Sequence, residues 1–197
     1  DHAITWPNAR AIAAVHGDIA LIHFDAHADT GNTSPGGMLL GHGTPMRRLI
    51  ESGAVSGRRF VQIGLRGYWP EPETVAWMEE QGMRTYLMTD IVERGMRAVV
   101  DDAVAYAAEG ADAVFLSVDI DVVDPGMAPG TGTPEPGGIT SRELLDTLRR
   151  LSRELNVVGA DIVEVSPPYD GPGQITAFLA NRCVLEILNG MAQRKLL

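Results

Sequence analysis

The sequence predicts an α/β protein in three layers, α/β/α, built on a mainly parallel sheet. Two observations carry that expectation. Short apolar runs alternate with amphipathic stretches of helix length, and Gly or Pro bounds each of them. The runs are also apolar nearly throughout rather than at every second residue, the pattern of strands covered on both faces by crossover helices. The first strand is expected over Asp18 to Asp25, around Ile19-Ala20-Leu21-Ile22. Thr44-Pro45 then opens a helix with a capping residue and a proline at the first helical position. A second strand follows over Arg59 to Leu65, Gly82 closes the next helix, and strands three and four are expected over Arg84 to Met88 and Ala113 to Asp121. Pro125 to Gly138 is a Gly/Pro loop longer than a plain connection needs, so it is expected to do more than connect. Thr140-Ser-Arg-Glu143 has the spacing of a capping box. A fifth strand over Val157 to Val165 and a helix over Ala177 to Gln193 complete the series. With no internal repeat, low-complexity tract or linker, residues 1–197 are expected to form a single domain.

Composition narrows the partners. A formal net charge of -10 with no basic patch disfavours phosphate backbones and anionic membranes, so neither nucleic acid nor membrane is expected. No run of 18 apolar residues is present, and the first residues lack the basic-then-apolar plan of a signal peptide. The single cysteine, Cys183, excludes an internal disulfide framework and fits a reducing, cytoplasmic compartment. Its place in the last helix makes it a buried apolar thiol rather than a nucleophile. The chain opens at Asp1-His2 without Met, as a processed or truncated product would.

Parallel sheets gather their chemistry at the carboxyl ends of the strands, and three strands here end in acids. In His23-Phe-Asp-Ala-His-Ala-Asp-Thr30 the groups Asp25, His27 and Asp29 recur with period two, which on an extended backbone puts them on one side, about 6–7 Å apart. Asp119 and Asp121 repeat that alternation at the end of the fourth strand, and Glu164 sits near the end of the fifth. Carboxylates crowded in an apolar setting repel one another and lose hydration, so a dry site holding several requires cations. Carboxylates with a minority of imidazole favour a hard or borderline ion such as Mn²⁺ over thiolate-seeking Zn²⁺. More ligands than one ion needs point to a two-metal site able to activate a water.

Taken together, Asp25-Ala-His-Ala-Asp29, Ser117-Val-Asp-Ile-Asp121, His42-Gly-Thr-Pro45, Thr131-Gly-Thr133 and Glu164-Val resemble the signatures of the ureohydrolases, the arginase and agmatinase family. The resemblance covers essentially the whole chain. It implies an arginase-like three-layer fold, a binuclear manganese centre, hydrolysis of a guanidino compound to urea and an amine, and a homo-oligomer, trimeric or hexameric. The metal ligands it implies are His2, Asp25, His27, Asp29, Asp119 and Asp121, whose four carboxylates balance the charge of two Mn²⁺ ions. Glu164 would grip the planar guanidinium, since a carboxylate matches its fork. Thr133 would help orient Glu164, Asp29 would protonate the leaving amine, and His42, between Gly41 and Gly43, would shuttle protons to solvent. The family's first ligand motif is Gly-Gly-Asp-His, and this chain begins within it, so the resemblance also implies a missing N-terminal segment and a fraying ligand at His2.

Substrate choice is less marked. Arginase-type members place an Asn two positions beyond the D-x-H-x-D motif, where this chain has Gly31, with Asn32 one later. Thr30 to Gly41 carries no Arg or Lys, which tilts the expectation from guanidino acids toward agmatine. Other groups take plainer roles: His23 as a hydrogen-bonded core histidine, His16 as a charge at a helix C-terminus, and Asp124 as a turn former before Pro125. Met38, Leu39 and Leu40 either line a substrate channel or tuck into the loop. Two other classes stay open: a two-metal phosphoesterase, for which Arg66 is the one basic residue near a strand's carboxyl end, and a non-catalytic scaffold.

Overall fold

The structure, a computed structural model, describes residues 1–68 and 70–196. Strands β1 (Ile19–Phe24), β2 (Phe60–Leu65), β3 (Arg84–Leu87), β4 (Ala113–Asp119) and β5 (Val157–Val163) form one sheet in the order β3-β2-β1-β4-β5, every neighbouring pair parallel. Each lies inside its expected span, and β1, β4 and β5 all stop short of the acids assigned to their ends or just on them. The helices are α1 (Thr5–His16), α2 (Pro45–Glu51), α3 (Pro72–Glu80), α4 (Met88–Arg94), α5 (Met96–Ala108), α6 (Ser141–Glu154) and α7 (Ile175–Arg194).

The continuous apolar character of the strands has a direct cause, because both faces are buried. Along β1, Ala20, Ile22 and Phe24 pack into a core with Val99 of α5, Leu144 of α6 and Leu179 of α7. Ile19 and Leu21 point the other way, against Ala9 of α1 and Met46 and Leu49 of α2. On β4, Val114, Leu116 and Val118 take the first face and Phe115 the second. Full burial of each such aliphatic side chain contributes ~1.5–3 kcal/mol, so the two layers secure the sheet independently of local propensity. Cys183 is fully buried in the α7 layer, and burial pushes its thiol up to about 12, which leaves it inert near neutral pH.

Helix ends follow the sequence with one exception. Thr140 Oγ1 accepts the Glu143 N–H at 3.2 Å and Glu143 Oε2 accepts the Thr140 N–H at 2.8 Å, completing the expected capping box. Thr44 makes no such cap on α2; its hydroxyl donates to the Leu39 carbonyl at 2.9 Å and accepts the Gly41 N–H at 3.0 Å, so it ties down the preceding loop. Met38, Leu39 and Leu40 on that loop are exposed, not tucked.

Strand order explains where chemistry can gather. From β1 the chain moves outward to β2 and β3, then returns to β4 on the opposite side and moves on to β5. The crevice at such a reversal lies between the carboxyl ends of β1 and β4, which are the strands that lead into Asp25 and Asp119. Gly64 makes room there. At φ +109 it bulges the end of β2, and a Cβ on it would lie 2.5 Å from Val122 Cγ2 and 3.0 Å from the Asp25 carbonyl.

Candidate metal centre

Asp119 is the last residue of β4, but the other acidic residues lie in turns beyond the strands rather than on the extended backbone their spacing suggests. The chain bends immediately after Phe24, and Asp29 adopts a left-handed backbone with φ +52. Asp119 ends β4 and its Oδ1 accepts the Asp121 N–H at 2.9 Å, turning the chain into a short 3-10 turn over Ile120–Val122. Glu164, just past β5, is also left-handed at φ +60. Convergence is therefore produced by turns, and the period-two geometry expected for Asp25, His27 and Asp29, and for Asp119 and Asp121, is replaced by it.

The result is two adjoining nests that share one carboxylate. His2 is fully buried, and its Nδ1 lies 2.9 Å from Asp29 Oδ2, 3.1 Å from Asp25 Oδ2 and 3.3 Å from Asp119 Oδ2. His27 Nδ1 lies 3.0 Å from Asp121 Oδ2 and 3.4 Å from Asp25 Oδ1. Asp25 thus turns one oxygen to each nest. The fraying expected of His2 is not what the structure has, because Asp1 Oδ1 accepts the Ala3 N–H at 2.8 Å and the ring is locked in the cluster.

Electrostatics show what this cluster lacks. Burial raises the Asp119 carboxyl well above its ordinary range, and the charges of Asp25 and Asp121 add to the effect. Burial and Asp25 likewise raise Asp29, and they push Asp121 to about 6 against the pull of His27. Burial would depress the two imidazoles, but neighbouring carboxylates outweigh it, holding His2 well above its usual value and His27 at about 11. Asp25 goes the other way: burial disfavours its charge, yet His23, His2 and His27 together hold it well below the ordinary range. The cluster thus sets four buried or nearly buried carboxylates against the two imidazoles of His2 and His27. Buried His2 Nδ1 also faces three carboxylates without a well-directed hydrogen bond. Both observations fit a pair of divalent cations, one bounded by His2, Asp25, Asp29 and Asp119 and one by His27, Asp25 and Asp121. A set of carboxylate oxygens with one imidazole nitrogen in each nest suits Mn²⁺ chemically.

Beside the nests lies a second group. Glu164 Oε1 accepts the His2 backbone N–H at 2.7 Å and pairs with His42 Nδ1 at 2.8 Å, while His42 Nε2 lies 3.4 Å from Asp1 Oδ2. Burial disfavours the Glu164 charge, but His42 and the His2 N–H prevail and hold its carboxyl below the usual range. His42 is 69% exposed, so a ring with carboxylates on both sides still reaches solvent. Thr133 departs from its expected role: its hydroxyl donates to Asp121 Oδ2 at 3.3 Å rather than to Glu164. The cause is the loop from 125 to 138, which Arg66 pins by donating to the carbonyls of Asp121 at 2.7 Å and Glu135 at 2.6 Å. Arg66 is consumed by backbone and offers no phosphate clamp. Asp124 forms the expected turn, accepting the N–H groups of Gly126 at 2.9 Å and Gly137 at 2.8 Å.

Sequence reasoning gave no supporting role to Thr5, Gln62, Ser117 and Asp161. His2 Nε2 meets Ser117 Oγ at 2.9 Å, and Thr5 Oγ1 donates to Asp161 Oδ2 at 2.9 Å beside it. With Nε2 engaged by Ser117, Nδ1 is the His2 nitrogen that faces the nest. The available signal for Gln62, Ser117 and Asp161 was a polar residue in the interior of each of three largely apolar strands.

A parallel three-layer domain with carboxylate and imidazole nests at its topological switch defines an α/β protein with a candidate metal centre where such sheets gather their chemistry. Comparison with known proteins narrows it: residues 1–189 match the model of the arginase family, and the chain belongs to that family. It is 43% identical over 193 residues to the guanidinopropionase of Pseudomonas aeruginosa, covering 98% of this chain and 59% of that one. It is 40% identical to the mitochondrial agmatinase of Gallus gallus, covering 95% of this chain and 54% of that one. The solved proclavaminate amidinohydrolase from Streptomyces clavuligerus superposes with a TM-score of 0.89 at 40% identity, over 98% of this chain and 62% of that one. The chain thus spans under two thirds of the length of these relatives, and over that span the arginase-like fold is shared.

Proposed function

We propose that the protein hydrolyses a guanidino compound to urea and an amine in a manganese-dependent reaction. The observation that carries the proposal is the pair of nests joined through Asp25, each with one imidazole and buried carboxylates whose charge a pair of cations would balance. When bound, two divalent cations would neutralise those carboxylates and generate a nucleophile from water near neutral pH. The protein's own groups supply the rest. Glu164, ionised and steadied by His42 and the His2 N–H, offers a planar acceptor to the guanidinium. Asp29, whose Oδ2 lies 2.9 Å from His2 Nδ1, would return a proton to the leaving amine. His42, open to solvent and paired with Glu164, exchanges protons with bulk.

For the substrate tail, we favour agmatine. Loop 30–41 has no Arg or Lys to meet a carboxylate, the chain is strongly acidic, and Asp1 adds a further carboxylate beside Glu164 and His42. A guanidino acid is the second reading, favoured by the 43% identity to a protein named guanidinopropionase. Urea release with Mn²⁺ tests both. Agmatine, arginine and 4-guanidinobutyrate are compared against a chelator control. Chelator-sensitive urea from agmatine alone is expected; urea from 4-guanidinobutyrate alone transfers the assignment to guanidino acids, and none from any of the three refutes the proposal for this chain.

A further inference from the structure

We infer that Gln62 and His23 are positioning residues that hold Asp25 in the orientation needed to serve both nests. The inference rests on the metal-centre reading and deepens it. Strand register places Gln62 of β2, His23 of β1, Ser117 of β4 and Asp161 of β5 in one row across the sheet. The row lies on the face that α1 and α2 cover, one register step beneath Asp25 and Asp119. Four polar side chains in a layer otherwise built from Leu21, Phe60 and Phe115 would be costly unless paired.

Direction in this network is fixed from one end. The Ala28 carbonyl can only accept, so Gln62 must present its NH₂ group there, at 2.6 Å. The other hydrogen of that NH₂ faces His23 Nδ1 at 3.0 Å, which makes Nδ1 an acceptor. The imidazole proton therefore sits on Nε2 and is donated to Asp25 Oδ2 at 2.8 Å. Gln62 Oε1 is left buried without a partner, but flipping the amide would set that oxygen against the Ala28 carbonyl, acceptor to acceptor, so this orientation holds. On the other side, Asp25 Oδ1 accepts the His27 N–H at 2.6 Å. With both oxygens held, the carboxylate cannot rotate out of its bridging attitude, in which Oδ2 faces His2 and Oδ1 faces His27. His23 lies near enough to His2, Asp25 and Asp29 to share an ion with them, but both its nitrogens are already engaged. Its part is to aim a ligand, not to be one.

The test compares the chain with three variants. His23→Phe removes the donor and keeps a ring beside Phe60, Gln62→Met removes the amide at similar volume, and His23→Gln returns an amide N–H near the position of Nε2. Mn²⁺ binding is followed by calorimetry, and the exchange-coupled signal of an ion pair by electron paramagnetic resonance. The unaltered chain should take up two ions and show the coupled signal. In His23→Phe, affinity should fall about 10–100-fold, the range for losing an outer hydrogen bond to a metal ligand, and the coupled signal should disappear. Gln62→Met should fall in the same direction and His23→Gln should recover both readouts. Wild-type affinity and coupling in His23→Phe overturn the inference, as does His23→Gln behaving like the phenylalanine variant, which would make the role steric. Should His23→Phe not fold, Gln62→Met against His23→Gln decides by the same criteria. If the unaltered chain binds no Mn²⁺, the metal reading itself is refuted and the positioning role falls with it.

Discussion

Metal loading should stabilise the protein by an amount the site itself sets. In the metal-free state, Asp29, Asp119 and Asp121 are buried acids with raised pKa values, and their mutual repulsion opposes folding. A cation in either nest removes that opposition and binds only the folded chain. At free metal 100-fold above the dissociation constant, each independent site contributes about 2.7 kcal/mol, so two contribute about 5.4 kcal/mol. For 197 residues the unfolding entropy is about 0.4 kcal/mol per kelvin, from ~2.1 cal/mol/K per residue. The thermal midpoint should therefore rise by about 13 °C with both nests filled and about 6–7 °C with one. Differential scanning calorimetry across a Mn²⁺ titration, reversed by chelator, measures it. A rise of less than about 2 °C at saturating metal would refute the assignment of the six side chains as ligands, because no ligand set of that size could bind so weakly coupled to folding.

Three further outcomes follow from the same geometry. Asp121→Ala removes the carboxylate that His27 faces and should lower Mn²⁺ affinity and urea production together, whereas Glu164→Ala should leave calorimetric Mn²⁺ binding intact and weaken substrate capture by about 2–5 kcal/mol, read as KM. Gly64→Ala sets a Cβ against Val122 and the Asp25 carbonyl at a left-handed φ, and should lower stability by about 1–3 kcal/mol in urea unfolding, with metal binding reduced as well. Glu186 sits between α6 and α7; the Arg149 guanidinium, with Arg182 behind it, holds its carboxyl at about 2 against an ordinary 4.5. A depressed folded-state value stabilises above pH 4.5 and is lost as pH falls from 4.5 toward 2, so Glu186→Gln should flatten acid unfolding in that window and leave the shape of the curve above it unchanged.

Much of the fold was readable because both sheet faces are buried, which writes each strand as an apolar run. Ala20 and Ile22 against Ile19 and Leu21 illustrate it: each pair serves a different core, so neither could be polar. The acids were readable by type, since buried carboxylates need cations wherever they stand. Their geometry was not. Asp29 and Glu164 occupy left-handed backbone with no Gly or Asn to announce it, a conformation set by tertiary contacts. Thr133 was assigned to Glu164, but the grip of Arg66 on the Asp121 and Glu135 carbonyls turns its loop toward Asp121, and no local pattern records a contact between residues so far apart. Gln62, Ser117 and Asp161 each looked like an isolated polar residue tolerated in a strand. Register aligns them with His23, and register belongs to the sheet rather than to any one segment.

Strain and support occupy neighbouring layers of the molecule for one reason. Left-handed backbone at a non-glycine residue costs of order 1–3 kcal/mol, and Asp29 and Glu164 are both in that state beside the nests. Such conformations persist only where surrounding contacts over-determine them. For Glu164 those contacts are the His2 N–H and His42; for Asp29 they are His2 Nδ1 and the Met46 N–H that its carbonyl accepts at 3.1 Å. His2 enters both accounts, and the polar row holds His2 through Ser117. Relaxing either residue to ordinary backbone would swing its carboxylate out of the crevice, so the strain is tied to convergence: six candidate ligands from the N-terminal turn and the ends of β1 and β4, and Glu164 beyond β5, meet only because the turns at Asp29 and Glu164 are bent beyond what their own residues prefer.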